Sequence, residues 1–237
     1  MRSAQLRVHT AIALATCSLV AWVGCGQRAV TVEYRSGYTF SRTERNAIER
    51  VADRAARDVR QLLPALPADL RITVQAGTRV IPETGETAET GLPGGVYWTI
   101  DPNHDGGVSA VVNAQLRATL FHEFYHLVRE AMFTPESLAD RAINEGLATA
   151  FERDFGGAAT PWGAYQDDVK VWTKEFLALP GDAPSRQWMH QHPDGRRWIG
   201  FKVGTYLADQ AVQASGLSLA QLAAVPRERI IAWAQPQ

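Results

Sequence analysis

The stretch that most constrains this chain runs from Leu116 to Met132. Leu116, Leu120, Phe121, Phe124, Leu127, Val128, Ala131 and Met132 cover a helix over these residues on nearly every side. A helix that is apolar all round is a buried helix. It nevertheless carries His122, Glu123 and His126. Two imidazoles and a carboxylate in such a place are costly unless something pairs with them. Residues four apart share a helix face, so His122 and His126 can reach one metal ion. Glu123, one position on, can take a proton from water beside that metal without filling a ligand position. Any fold open to this chain must enclose this helix and bring further ligands to it.

A catalytic zinc has three protein ligands and one open position. The third ligand is expected from the next helix, which contains Ala142-Ile143-Asn144-Glu145-Gly146-Leu147-Ala148. A short turn near Phe133-Thr134-Pro135 lets the two helices run antiparallel, and Glu145 lies 19 residues after His126. Gly146 and Ala148 permit close backbone approach. Asp140 and Glu152 compete with Glu145 for the role. With Zn2+ held by His122, His126 and a carboxylate, Glu123 is the general base, because zinc brings the pKa of its water to about 7.

The remaining pattern is α+β. Ala29–Tyr34 and Leu70–Gln75 alternate as strands do, and Val96–Ile100 and Val108–Asn113 read as two more. Ser41 and Glu44 form a capping box that opens an amphipathic helix reaching about Leu63 before Pro64. Residues 77–95, rich in Gly, Pro, Thr and Glu, read as a long loop. Asp101-Pro102-Asn103-His104-Asp105-Gly106 opens like a calcium loop, but Val112 stands where that loop needs Glu, so a hairpin turn is expected. From Ala114 onward the chain reads as helical, with Thr134-Pro135 and Thr160-Pro161 as helix starts. This gives a mixed α/β lobe over 28–113 with a small twisted sheet, a helical lobe over 114–237, and the metal helix between them, all in one domain over 25–237.

The first 24 residues read as a signal peptide. Arg2 and Arg7 precede an apolar run of 13 residues, Ala11–Val23, too short to span a bilayer comfortably. The chain's only cysteines are Cys17, inside this leader, and Cys25 just after it. The domain therefore has no internal disulfide. Trp22-Val23-Gly24-Cys25 resembles a bacterial lipoprotein cleavage site, with Trp where Leu is usual. Cys25 is the expected lipid acceptor, and a freely secreted form is the alternative. Either way the protein is expected to leave the cytoplasm, anchored at the bacterial cell envelope if lipidated and secreted otherwise. A net charge of -1 gives no basic surface for nucleic acid.

H-E-x-x-H followed after 18 residues by E-G-L-A resembles the gluzincin metallopeptidases. More closely, Val96–Ala211 resembles a bacterial family of predicted zinc-dependent proteases otherwise filed as a domain of unknown function. The likeness takes in Arg129 and Gly200-Phe201-Lys202-Val203-Gly204-Thr205-Tyr206, where Phe201 and Thr205 replace the two tyrosines of the family pattern. It implies a zincin-like fold and peptide-bond hydrolysis. It also implies that the strand before the metal helix, Val108–Val112, pairs with an extended substrate. An oxyanion donor is needed beside the zinc. Tyr206, Tyr165, His190 and His192 are candidates, and Tyr206 is favoured by its Gly-spaced helix. The leading expectation is a zinc peptidase acting on a peptide or protein. An amide hydrolase of cell-envelope material and a non-catalytic metal-binding lipoprotein are the alternatives.

Overall fold

The computed structural model describes residues 30–91 and 95–234. The proposed leader and Cys25 lie outside the described residues. Strands β1 (Val30–Tyr34), β2 (Leu70–Ala76), β3 (Glu86–Thr90) and β4 (Gly95–Ile100) form one mixed sheet in the order β1-β2-β4-β3. β1, β2 and β4 are parallel, and β3 runs antiparallel to β4 at the edge. Leu70, Ile72 and Val74 alternate with more exposed residues, so one face of β2 enters the core.

The core that this face enters also takes α1 (Arg42–Leu62), which packs against β1. Its N-terminus is closed as expected: the Ser41 side chain accepts from the Glu44 N–H, and Glu44 accepts from the Ser41 N–H at 2.7 Å. Ile48, Ala52, Ala55, Ala56 and Val59 are its buried stripe.

Three expectations for the first half fail. Residues 77–95 are not one loop, because β3 lies within them. Its sequence, Glu-Thr-Ala-Glu-Thr, lacks the apolar alternation that marks a half-buried strand. Val108–Asn113 is not a strand, and the residues from Asp101 to Gly107 are not a hairpin turn. The chain turns at Gly106 and Gly107, both at positive φ, into α2 (Gly107–Val111). A single π-helical turn over Val112–Leu116 follows, then α3 (Arg117–Glu130). Buried Val108, Val111, Val112 and Leu116 recur at helical spacing. A short Val-rich run does not by itself separate that spacing from a buried strand.

α3 is the central helix. Among its buried polar groups, Tyr125 donates to the Leu219 carbonyl at 2.9 Å. The Arg129 guanidinium donates to the carbonyls of Leu222, Ala223 and Val225. These carbonyls end the short helix α8 (Leu219–Leu222), so Arg129 caps one helix from within another.

α4 (Leu138–Phe151) starts at Ser137 and not at Thr134-Pro135. Ser137 and Asp140 form the capping box, and Arg227 holds Asp140 at 2.8 Å. A second π-helical turn, Glu152–Gly156, ends it. Thr160-Pro161 opens only a turn, in which the Gly163 and Ala164 N–H groups both donate to the Thr160 carbonyl. The next helices are α5 (Val169–Leu177), α6 (Ser185–Met189) and α7 (Ile199–Ser215), with α9 (Arg227–Ala234) closing the described chain.

α4 and α7 cross at Gly146 and Gly204. A Cβ on Gly204 would lie 1.8 Å from the Ala142 carbonyl oxygen, and one on Gly146 would lie 1.9 Å from the Gly204 carbonyl carbon. The close approach expected at Gly146 therefore exists, but toward α7 and not toward the metal helix.

Candidate metal centre

α3 and α4 bring three ligand atoms together. His122 Nε2 lies 3.0 Å from His126 Nε2 and 3.2 Å from Glu145 Oε2, and His126 Nε2 lies 3.4 Å from the same oxygen. One proton can satisfy one edge of this triangle and not all three. A tetrahedral ion with bonds of about 2.0–2.1 Å has ligand-to-ligand edges of about 3.3–3.4 Å, close to this triangle. Nitrogen, nitrogen and oxygen donors suit zinc. The residues present thus fit the metal, and they are the candidate metal site among the described residues.

Further carboxylates surround the triangle. Glu152, 3% exposed, places Oε2 3.1 Å from His122 Nδ1, the nitrogen that faces away from the triangle. Glu152 is therefore not a competing ligand but sits behind one. Asp140 is absorbed in the start of α4. Glu130 faces His126 Nδ1 at 3.7 Å, and it accepts from Asn144 Nδ2 at 2.8 Å and from Thr90 Oγ1 at 3.1 Å. Glu123 is 5% exposed, and its Oε2 is buried with no hydrogen-bond partner among the described residues.

The electrostatics follow from this crowding. Burial opposes protonation of His122, but the Glu145 and Glu152 carboxylates bonded to it outweigh burial and hold its pKa well above the ordinary value. His126 is raised in the same way, mainly by Glu145. Burial would raise Glu145, yet the two imidazoles hold its carboxylate below the usual range. Glu123 has no such bond, and burial pushes it up to about 7. A cluster this rich in carboxylate calls for positive charge, which protons or a metal can supply.

The site opens into a cavity of about 550 Å³. One wall is the segment from Arg79 to Ile81 with β3, and the other holds Trp162, His190, Trp198 and Phe201. Thr90 and Glu86 show that the even residues of β3 turn their side chains inward, because Glu86 accepts from Trp98 Nε1 at 2.7 Å and Thr90 donates to Glu130. The backbone alternates as well. Asp101 N–H donates to the Gly85 carbonyl and Gly91 N–H to the Gly95 carbonyl, so the odd residues pair with β4. The N–H and C=O groups of Ala88 and Thr90 therefore point away from β4, along the cavity side.

Of the four expected oxyanion donors, His190 alone lines the cavity. Tyr206 packs edge-on against Tyr165 at 5.6 Å, and Tyr165 donates to Asp209 at 2.6 Å. The Gly spacing that favoured Tyr206 serves packing: Gly204 meets α4, and a Cβ on Gly200 would meet Met189. His192 turns to Asp194 at 2.8 Å. His190 is held by a turn closed by the Trp198 N–H donating to its carbonyl at 2.8 Å. Trp198 is the one described non-glycine residue at positive φ, 61°, a conformation held at some cost beside the cavity. His190 keeps an exposed face, and the partial loss of solvent it does suffer lowers its pKa, which favours the neutral ring.

The sequence had offered His190 without selecting it, and it gave Glu130 no role. Glu130 lies four residues after His126, the same helical spacing that joins the two histidines. Comparison with known proteins adds one finding: the family described as "Predicted Zn-dependent protease (DUF2268)" matches residues 44–232. No curated protein and no solved structure matches the chain.

Proposed function

This chain belongs to the predicted Zn-dependent protease family DUF2268, and from that premise we propose that it is a zinc peptidase with Glu123 as general base. The observation that carries the reading is the triangle of His122, His126 and Glu145 with the unpartnered Glu123 carboxylate in the same cavity. Bound zinc supplies Lewis acidity and lowers the pKa of its water to about 7. Glu123 takes the proton of the attacking water and passes it to the leaving amine. His190 donates to the carbonyl oxygen as charge builds there.

The substrate lies extended along β3. Its backbone pairs with the outward groups of Ala88 and Thr90, as a strand added to a sheet edge. The edge pairing expected of residues 108–112 thus belongs to β3. An antiparallel edge strand beside the metal helix, with the third ligand on the following helix, is a zincin-like arrangement. A non-catalytic metal site is disfavoured, because a structural site is closed and this one opens into a cavity beside an unengaged carboxylate. Export through the leader, with Cys25 as lipid acceptor, would place the enzyme at the cell envelope.

Glu123→Gln should retain one zinc per chain and lose activity by a factor of about 10²–10⁴ on a peptide library. Glu145→Gln should lose zinc itself. Full peptidase activity in Glu123→Gln overturns the assignment of the base. Absence of any peptide cleavage by the zinc-loaded wild type overturns the peptidase reading.

A further inference from the structure

The His122 ring lies between two carboxylates of one helical segment. Glu145 and Glu152 are seven residues apart, two helical turns, and so fall on one side of α4 and its π-helical extension. Glu145 Oε2 meets Nε2 at 3.2 Å, and Glu152 Oε2 meets Nδ1 at 3.1 Å. The same Glu152 oxygen accepts from Trp162 Nε1 at 3.3 Å. Trp162 is 8% exposed and lines the cavity beside Glu152. Its place is fixed from behind. A Cβ on Gly163 would lie 2.3 Å from Thr149 Cγ2, so only glycine lets the turn seat this closely.

We propose that Glu152, held by Trp162, is the positioning residue of the metal centre. It keeps the proton of His122 on Nδ1 and the Nε2 lone pair turned toward Glu145 and His126. A neutral imidazole donates from one nitrogen and accepts at the other, so a fixed acceptor at Nδ1 decides which nitrogen is free for the metal. Rotation of the ring would break the Glu152 bond, so the carboxylate sets orientation as well as tautomer. Burial of a carboxylate at 3% exposure is costly, and its two partners here are a metal ligand and a cavity-wall tryptophan. The role rests on the proposed zinc site but not on peptide cleavage.

The test measures zinc affinity of the full chain by competition with a chromogenic chelator, together with the melting temperature of the metal-free form. Glu152→Leu and Glu152→Ala, which remove the acceptor, should weaken zinc by about 10- to 100-fold. Trp162→Phe, which removes only the second donor, should have a smaller effect in the same direction. Nitrogen NMR of the zinc-loaded wild type should show His122 protonated at Nδ1. Glu152→Leu fills similar space without an acceptor and carries the test if the alanine variant fails to fold. Unchanged zinc affinity in Glu152→Leu, with or without a lower melting temperature, overturns the proposal, since a merely structural role would move stability alone. Weak zinc binding in these variants supports the proposal even where the wild type cleaves no peptide, so the two readings fail separately.

Discussion

The two walls of the cavity are built from different materials. The strand wall offers backbone: β3 presents the outward N–H and C=O groups of Ala88 and Thr90, and what it supplies does not depend on side-chain identity. The helical wall offers side chains: Trp162, His190, Trp198 and Phe201 stand on turns and helices whose seating depends on close contacts such as Gly146 against Gly204. A backbone wall tolerates substitution and is sensitive to proline. A side-chain wall is sensitive to both the residue and the packing beneath it.

The largest break should come from below the helical wall. Gly204→Ala places a Cβ against the Ala142 carbonyl, which is backbone and cannot swing aside. Overpacking of this kind costs about 3 kcal/mol, a fall of roughly 6–12 °C in melting temperature. Because the displaced helix carries Glu145, zinc affinity should fall with it; calorimetry and chelator competition read the two effects. Next, His190→Ala should lower kcat by about 10²-fold with zinc content unchanged, the loss expected for one oxyanion donor. If KM rises instead and kcat holds, His190 only binds substrate. On the strand wall, Ala88→Pro removes an outward N–H without removing a bond to β4. It should lower kcat/KM by up to about tenfold, the worth of one hydrogen bond. Thr87→Ala, whose side chain points to the opposite face, should change kcat/KM by less than about twofold. Equal sensitivity at positions 87 and 88 would abolish the distinction between the walls.

The same division explains what the sequence made legible. Side-chain chemistry with a helical period was readable: His122, Glu123, His126 and Glu145 stand out because polar groups at fixed spacing on apolar helices require a reason. Leu70–Ala76 and the Ser41 cap were readable for similar local causes. Backbone function was not. β3 holds two Glu and two Thr in five residues, and it is a strand because β4 offers it partners, not because of its own pattern. The run after Gly107 fits strand and helix equally over a few residues, and the continuation into α3 decides it. Glu152 appeared in the sequence only as a rival ligand. Its seat behind His122 depends on the π-helical turn and on Trp162, ten residues further on.

The open edge of β3 has a cost in solution. Outward-facing amides that accept an extended peptide also accept the edge of another molecule, and exposed strands are a common origin of aggregates. Here the hazard is limited by the features that hid the strand in the sequence. β3 is five residues long, carries exposed Glu89, and contains no run of apolar side chains. An arriving second copy would bring its own Glu89 carboxylate toward this edge. The composition that made this segment look like a loop works against edge-to-edge pairing while leaving the edge available.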